Sequence, residues 1–264
     1  MELTLVASAA VCFSGCTKGQ APSSRAQAPT AVAFGYLSDK AMPDSLTAIP
    51  PPPAQNSAAM ARDEAVRRAA LMLHDTDRYA LAADDADRTQ DGTDRAFQCA
   101  FGVDIDQQQT PILYKLLGKM RIDVRAATYP AKLHYRRVRP WVANNAQVCS
   151  ASEQLVRNDG SYPSARGAVG WAYALVLARL NPSRSSLILE RGRAFGESRI
   201  VCDAEWQSDV DAGRTMAEAV VSRLLTVDQF RADFAAARQE VVRSLKNSKK
   251  PADCASEMRA LAQR

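Results

Sequence analysis

From Ala58 onward, apolar residues return with the period of an α-helix. Ala65, Ala69, Leu71, Met72 and Leu73 mark one face of a first helix, which the turn chemistry of Asp75-Thr76-Asp77 would close. Further helices are predicted over 93–101 and 110–124, the second carrying Ile112, Leu113, Leu116, Leu117, Met120 and Ile122. Pro111 suits the first turn of that helix, where a missing N–H does no harm. A polar, proline-punctuated loop is expected next, followed by a basic block over 132–140. Downstream, the pattern predicts a small-residue helix over 167–179, stopped by Asn181-Pro182, and helices over 185–199, 203–225 and 226–245. Asp228 would lie in the first turn of the last one, near the positive end of its dipole. Runs of period two are essentially absent, so the chain is expected to fold as a single all-α helical bundle.

The N-terminal quarter lacks this pattern. Residues 1–16 form a short apolar run ending in Phe13-Ser14-Gly15-Cys16, which reads as an export signal of lipoprotein type with a lipid anchor at Cys16. Residues 17–57 are rich in Ala and Pro, including Pro50 to Pro53, and read as a tether. Its Phe34-Gly35-Tyr36-Leu37 piece is expected to lie on the surface of the helical domain, 58–250, and 251–264 reads as a C-terminal tail. Beyond 1–16, Cys99, Cys149, Cys202 and Cys254 make an even set, which in an exported chain suggests disulfides with three pairings open. The net charge of +5 would permit anionic partners, but basic and acidic residues are interspersed and no nucleic-acid motif is present. His74 and His134 are the only histidines, and the cysteines lack ligand spacing, so neither a metal nor another cofactor is expected.

Three spaced blocks carry the chemistry. Lys132-Leu133-His134-Tyr135-Arg136-Arg137-Val138-Arg139-Pro140 offers an ammonium and a guanidinium suited to an oxyanion. Tyr162-Pro163-Ser164-Ala165-Arg166 follows, and the third block is Gly196-Glu197-Ser198-Arg199 through Glu205-Trp206-Gln207-Ser208-Asp209 to Arg214. Together, over about 58–246, they resemble the class A bacterial non-specific acid phosphatases of the type 2 phosphatidic acid phosphatase superfamily. The resemblance implies the same all-α fold, a periplasmic or envelope-associated location, and an oxyanion clamp of Lys132, Arg139, Ser164 and Arg199. It also implies oligomers in some members, so a homo-oligomer is one expectation, and it makes His134 part of a structural His-Tyr pair.

In that family the position of Arg166 is a histidine that protonates the leaving group, and that of Glu205 is the nucleophilic histidine, oriented by the residue at Asp209. Arginine, with a pKa above about 12, is no general acid at neutral pH. A carboxylate about 4 Å from a phosphate repels it by about 4 kcal/mol at an effective dielectric of about 20. Efficient phosphomonoester hydrolysis is therefore not expected. The favoured expectation is a repurposed hydrolase with Glu205 as acid or base, Asp209 beside it on one helical face, and Arg166 in the catalytic centre. A Glu–Asp pair, with Asp203 as a further partner, is the equipment of a glycosidase, and an envelope glycan such as peptidoglycan would then be the substrate. The alternatives are residual action on small phosphate esters, or a catalytically inactive phosphate-binding or interaction protein in which Arg166 and Glu205 pair across the pocket. Vanadate, held in related haloperoxidases by a histidine at the Glu205 position, is not expected.

Overall fold

The computed structural model describes residues 1–2, 34–247 and 254–263. The apolar leader run and Cys16 lie outside them. The described residues contain helices and no strand, as the periodicity predicts. The helices are α1 (Ala58–Leu71), α2 (Asp77–Asp84), α3 (Gln90–Phe101), α4 (Pro111–Tyr135), α5 (Ala165–Leu180), α6 (Ser185–Val201), α7 (Gln207–Leu224), α8 (Asp228–Asn247) and α9 (Cys254–Ala262), with single turns at Ser45–Ala48 and Pro140–Ala143.

Helix α5 is the hub, because its small and aliphatic residues are buried nearly all round: Ala168, Ala172, Ala174, Val176 and Leu177 have no exposed surface. Helices α6 and α7 pack most extensively against it. Close approach is built in where α7 crosses the start of α5, since a Cβ on Gly213 would stand 2.5 Å from the Ser164 carbonyl oxygen. That approach holds Ser164, the N-cap of α5, against the segment that leads into α7.

Three departures from the pattern shape the site. The helix predicted to stop at 124 continues through Pro130 to Tyr135, because the break that proline forces is repaired from outside: Ala131 N–H donates to Ser45 Oγ at 3.0 Å. The segment 77–84, for which the periodicity predicts no element, is helix α2, capped by the Thr76 hydroxyl accepting Tyr79 N–H. Helix α7 begins at Gln207, not at 203, since Asp203 has the left-handed φ of 56° and cannot start a helix.

Two disulfides join Cys99 to Cys254 and Cys149 to Cys202. The first anchors α9, so that residues 254–262 are a packed helix, mainly against α2. The second ties the loop before 151 to the end of α6, next to Arg199. At the other end of the chain, Tyr36 and Leu37 donate their N–H groups to the Asp123 carboxylate at 2.7 and 3.2 Å, and Tyr36 OH donates to Asp233 at 2.8 Å. A Cβ on Gly35 would collide with the Asp123 carboxylate and push it from its two backbone bonds. No helix among the described residues is long and apolar enough to cross a membrane.

Candidate functional site

The structure brings the predicted clamp together around one carboxylate. Lys132 projects from the last turns of α4, Arg139 precedes the 140–143 turn, Ser164 caps α5, and Arg199 lies near the end of α6. Glu205, in the loop between α6 and α7, points into their midst. Ser164 Oγ donates to its Oε2 at 2.5 Å, Arg199 Nε to the same oxygen at 3.3 Å, and Arg139 Nη1 approaches Oε1 at 3.5 Å. The carboxylate thus sits where the clamp would grip an oxyanion. Burial alone would push its pKa up, but Arg199, Arg139 and Lys132 overrule burial and hold it below the usual range.

The clamp groups are themselves positioned by backbone. Lys132 Nζ donates to the carbonyls of Gly160 and Ser161 at 2.7 and 3.2 Å. Burial lowers its pKa to about 8, against the pull of Glu205. Arg139 is held by the carbonyls of Val156, Asp159 and Ala204. Arg199, 1% exposed, gives Nη2 to Glu153 at 2.6 Å and leaves its buried Nη1 without a partner among the described residues. Glu153, fully buried, would have its pKa raised by burial, but the Arg199 charge holds it at about 2. Sequence reasoning missed Glu153. It sits in a polar loop with no periodicity, and only its nearness to Cys149 hinted that the loop is tied down.

The other candidate residues are placed differently from expectation. Arg166 does not pair with Glu205: its Nη2 donates to the Ala86 carbonyl at 2.8 Å, while its pKa is lowered by burial and by the Arg199 charge. Asp209 shares no helical face with Glu205, because α7 starts after Glu205. It accepts Trp206 N–H at 2.8 Å and pairs with Arg137 at 2.7 Å, so it is engaged in capping α7. Burial raises its pKa to about 6 even so. Asp203 is taken by Arg67 at 2.6 and 2.9 Å. His74 and His134 are exposed and lie against Tyr79 and Tyr135, the second pair edge to face. Among the described residues no His, Cys, Asp or Glu cluster is arranged to hold a metal ion.

The clamp opens into a cavity of about 50 Å³, also lined by Arg166, Ala165 at the N-terminus of α5, and three cations that sequence reasoning missed: Arg88, Arg121 and Arg125. Of the carboxylates at 205 and 209, only Glu205 lines it. A larger groove of about 830 Å³ runs between α2, α3 and α9; it contains none of the clamp residues and meets the cavity only through Arg88. A cationic cavity with backbone-fixed guanidinium groups, buried serine and a helix N-terminus is equipped to bind an oxyanion.

No family model matches the chain. Curated relatives do. It is 39% identical over 207 residues to a non-specific acid phosphatase of Providencia stuartii, covering 78% of this chain and 84% of the relative. It is 35% identical over 211 residues to an acid phosphatase of Zymomonas mobilis, covering 80% of each. A non-specific acid phosphatase of Salmonella typhi is 35% identical over 195 residues, covering 73% of this chain and 78% of the relative. With that identity spread over three quarters of its length and the clamp residues gathered at one cavity, the chain belongs to the class A bacterial non-specific acid phosphatase family.

Proposed function

We propose that this hydrolase of the acid phosphatase family binds phosphate esters in the Lys132–Arg139–Ser164–Arg199 clamp, that Glu205 is their direct competitor for it, and that it turns over simple phosphomonoesters slowly. One observation carries the reading: the Glu205 carboxylate already accepts from Ser164 and Arg199 and lies beside Arg139, the donors a phosphate would use. Phosphate entry therefore requires Glu205 to withdraw. Its lowered pKa keeps it ionised, which suits a base or a nucleophile and not a general acid. Arg166, bonded to the Ala86 carbonyl, offers charge to an anion but no proton to a leaving group.

The glycosidase reading has less support. Asp209 is engaged by Arg137 and Trp206, and the cavity is small and cationic. A location outside the cytoplasm is part of the proposal, supported by the two disulfides and by the acid phosphatases it resembles.

The test is p-nitrophenyl phosphate hydrolysis by the wild type and by the Arg166→His, Glu205→His double variant. The expected result is wild-type turnover lower by about 10⁴ or more, the usual consequence of lacking a nucleophile. Wild-type turnover equal to that of the double variant overturns the competitor reading.

A further inference from the structure

Extending α4 through Pro130 has a consequence for charge. Arg121, Arg125 and Lys132 fall on one side of a continuous helix, and all three line the cavity. Arg88, from the loop between α2 and α3, lines it from across. With Arg139, Arg166 and Arg199, the cavity wall carries seven basic side chains against two carboxylates, Asp159 and Glu205.

Two of the deeper charges are neutralised. Glu153 and Glu205 flank Arg199, and Glu205 lies beside Arg139. The outer three are not. The Arg88 and Arg125 guanidinium groups make no hydrogen bond or ion pair among the described residues, and Arg121 Nη2 donates only to the Arg88 carbonyl. The nearby carboxylates are committed elsewhere, Asp87 to Arg95 and Glu153 to Arg199. Asp94, close to Arg121, is raised to about 7 by burial and is a weak counter-ion. All three guanidinium groups belong to half-buried residues, so solvent does not fully screen their mutual repulsion. Burial, first of all, lowers the pKa of both Arg88 and Arg121, with neighbouring arginines adding to it and Glu153 (at Arg88) and Asp94 (at Arg121) opposing it. Unpaired like charges held together are unfavourable for folding and are retained where a ligand supplies the missing charge.

We propose that Arg88, Arg121 and Arg125 form a second anion subsite at the mouth of the clamp, and that the preferred ligand carries at least two phosphoryl groups, one in the clamp and one at the mouth. The proposal rests on the clamp reading given above and adds the ligand class to it. It also supplies what that reading needs. A single phosphate must evict Glu205 from Ser164, Arg199 and Arg139, donors that Glu205 already holds, whereas a second phosphoryl gains charge-assisted bonds that Glu205 does not compete for. Arg88 also lines the groove of about 830 Å³ on its other side. A linear polyphosphate and a bisphosphate on an organic frame share this chemistry.

Isothermal titration of the mature, disulfide-bonded protein with inorganic phosphate, tripolyphosphate and fructose 1,6-bisphosphate tests it. At least one of the two larger anions should bind about 30-fold or more tighter than phosphate, as expected from one or two added charge-assisted bonds. Which of them does so distinguishes chain from frame. In Arg121→Gln, Arg125→Gln, that ratio should fall to within about threefold. Wild-type salt dependence gives a readout that needs no variant: affinity for the larger anion should fall more steeply with ionic strength than affinity for phosphate. A wild-type preference below about threefold, or a ratio the double variant leaves intact, overturns the second subsite. Phosphate titrated into Glu205→Gln separates the two readings. If it does not bind even there, the clamp reading falls, and only a large-anion affinity still weakened by Arg121→Gln, Arg125→Gln would uphold the mouth.

Discussion

The floor and the mouth of the cavity are both rich in arginine, yet they obey opposite electrostatic rules. On the floor, Arg199 is clasped by two carboxylates and Arg139 by three backbone carbonyls, so each charge has its partner inside the fold. At the mouth, the Arg88 and Arg125 guanidinium groups make no hydrogen bond or ion pair among the described residues. The floor is structural: its ions are buried and mutually dependent, and removing one strands the others. The comparison teaches that retention of a basic residue says little about its role until its counter-ions are known.

Three substitutions or titrations can break this contrast. The largest effect is expected from Arg199→Ala, which leaves Glu153 and Glu205 buried without their shared cation. Denaturant unfolding should show a loss of about 3–5 kcal/mol, whereas Arg125→Gln should stay within about 0.5 kcal/mol of wild type or gain slightly. Equal losses would erase the distinction between floor and mouth. Next, Glu205→Gln removes the competing charge while keeping the side chain's shape. Phosphate affinity measured by calorimetry should rise at least about tenfold, the repulsion of about 4 kcal/mol setting the upper bound. A fall in affinity would mean that Glu205 helps to hold the anion.

The smallest effect concerns Lys132, whose pKa burial lowers to about 8. Its ammonium is lost as pH rises through that value, so phosphate affinity should decline above about pH 8, by up to tenfold per unit. Folding stability should move the other way. Between about pH 8 and the unfolded lysine value near 10.5, the unfolded chain binds more protons, and this group's contribution to stability grows with pH. A pH-independent phosphate affinity from 7 to 9.5 would remove Lys132 from the clamp.

Much of this was legible in the sequence, for reasons that differ by residue. The bundle was readable because apolar period survives single-residue noise, and the gathering of Lys132, Arg139, Ser164 and Arg199 because three spaced blocks carried it. The helical pairing of Glu205 with Asp209 was misread, since spacing alone cannot reveal that Asp203 adopts a left-handed φ and delays α7. The pairing of Arg166 with Glu205 was misread because opposite charges at neighbouring positions were assumed to meet, while the Ala86 carbonyl, distant in sequence, captured Arg166 first. The mouth was invisible for one local reason. Pro130 and the polar residues after 124 argued for a loop, and only Ser45, far upstream, supplies the acceptor that lets α4 continue.

The segment at Tyr36 carries a consequence for the order in which the molecule can be assembled. Its anchors, Asp123 and Asp233, lie 87 and 197 residues downstream. As the chain emerges from its N-terminus, nothing exists for Gly35, Tyr36 and Leu37 to dock on until most of the bundle has been made. The first part of the domain to be synthesised is therefore among the last to be seated, and contacts of such long range close slowly. Both ends of the domain, this segment and α9 with its Cys99–Cys254 bridge, thus depend on partners far away along the chain.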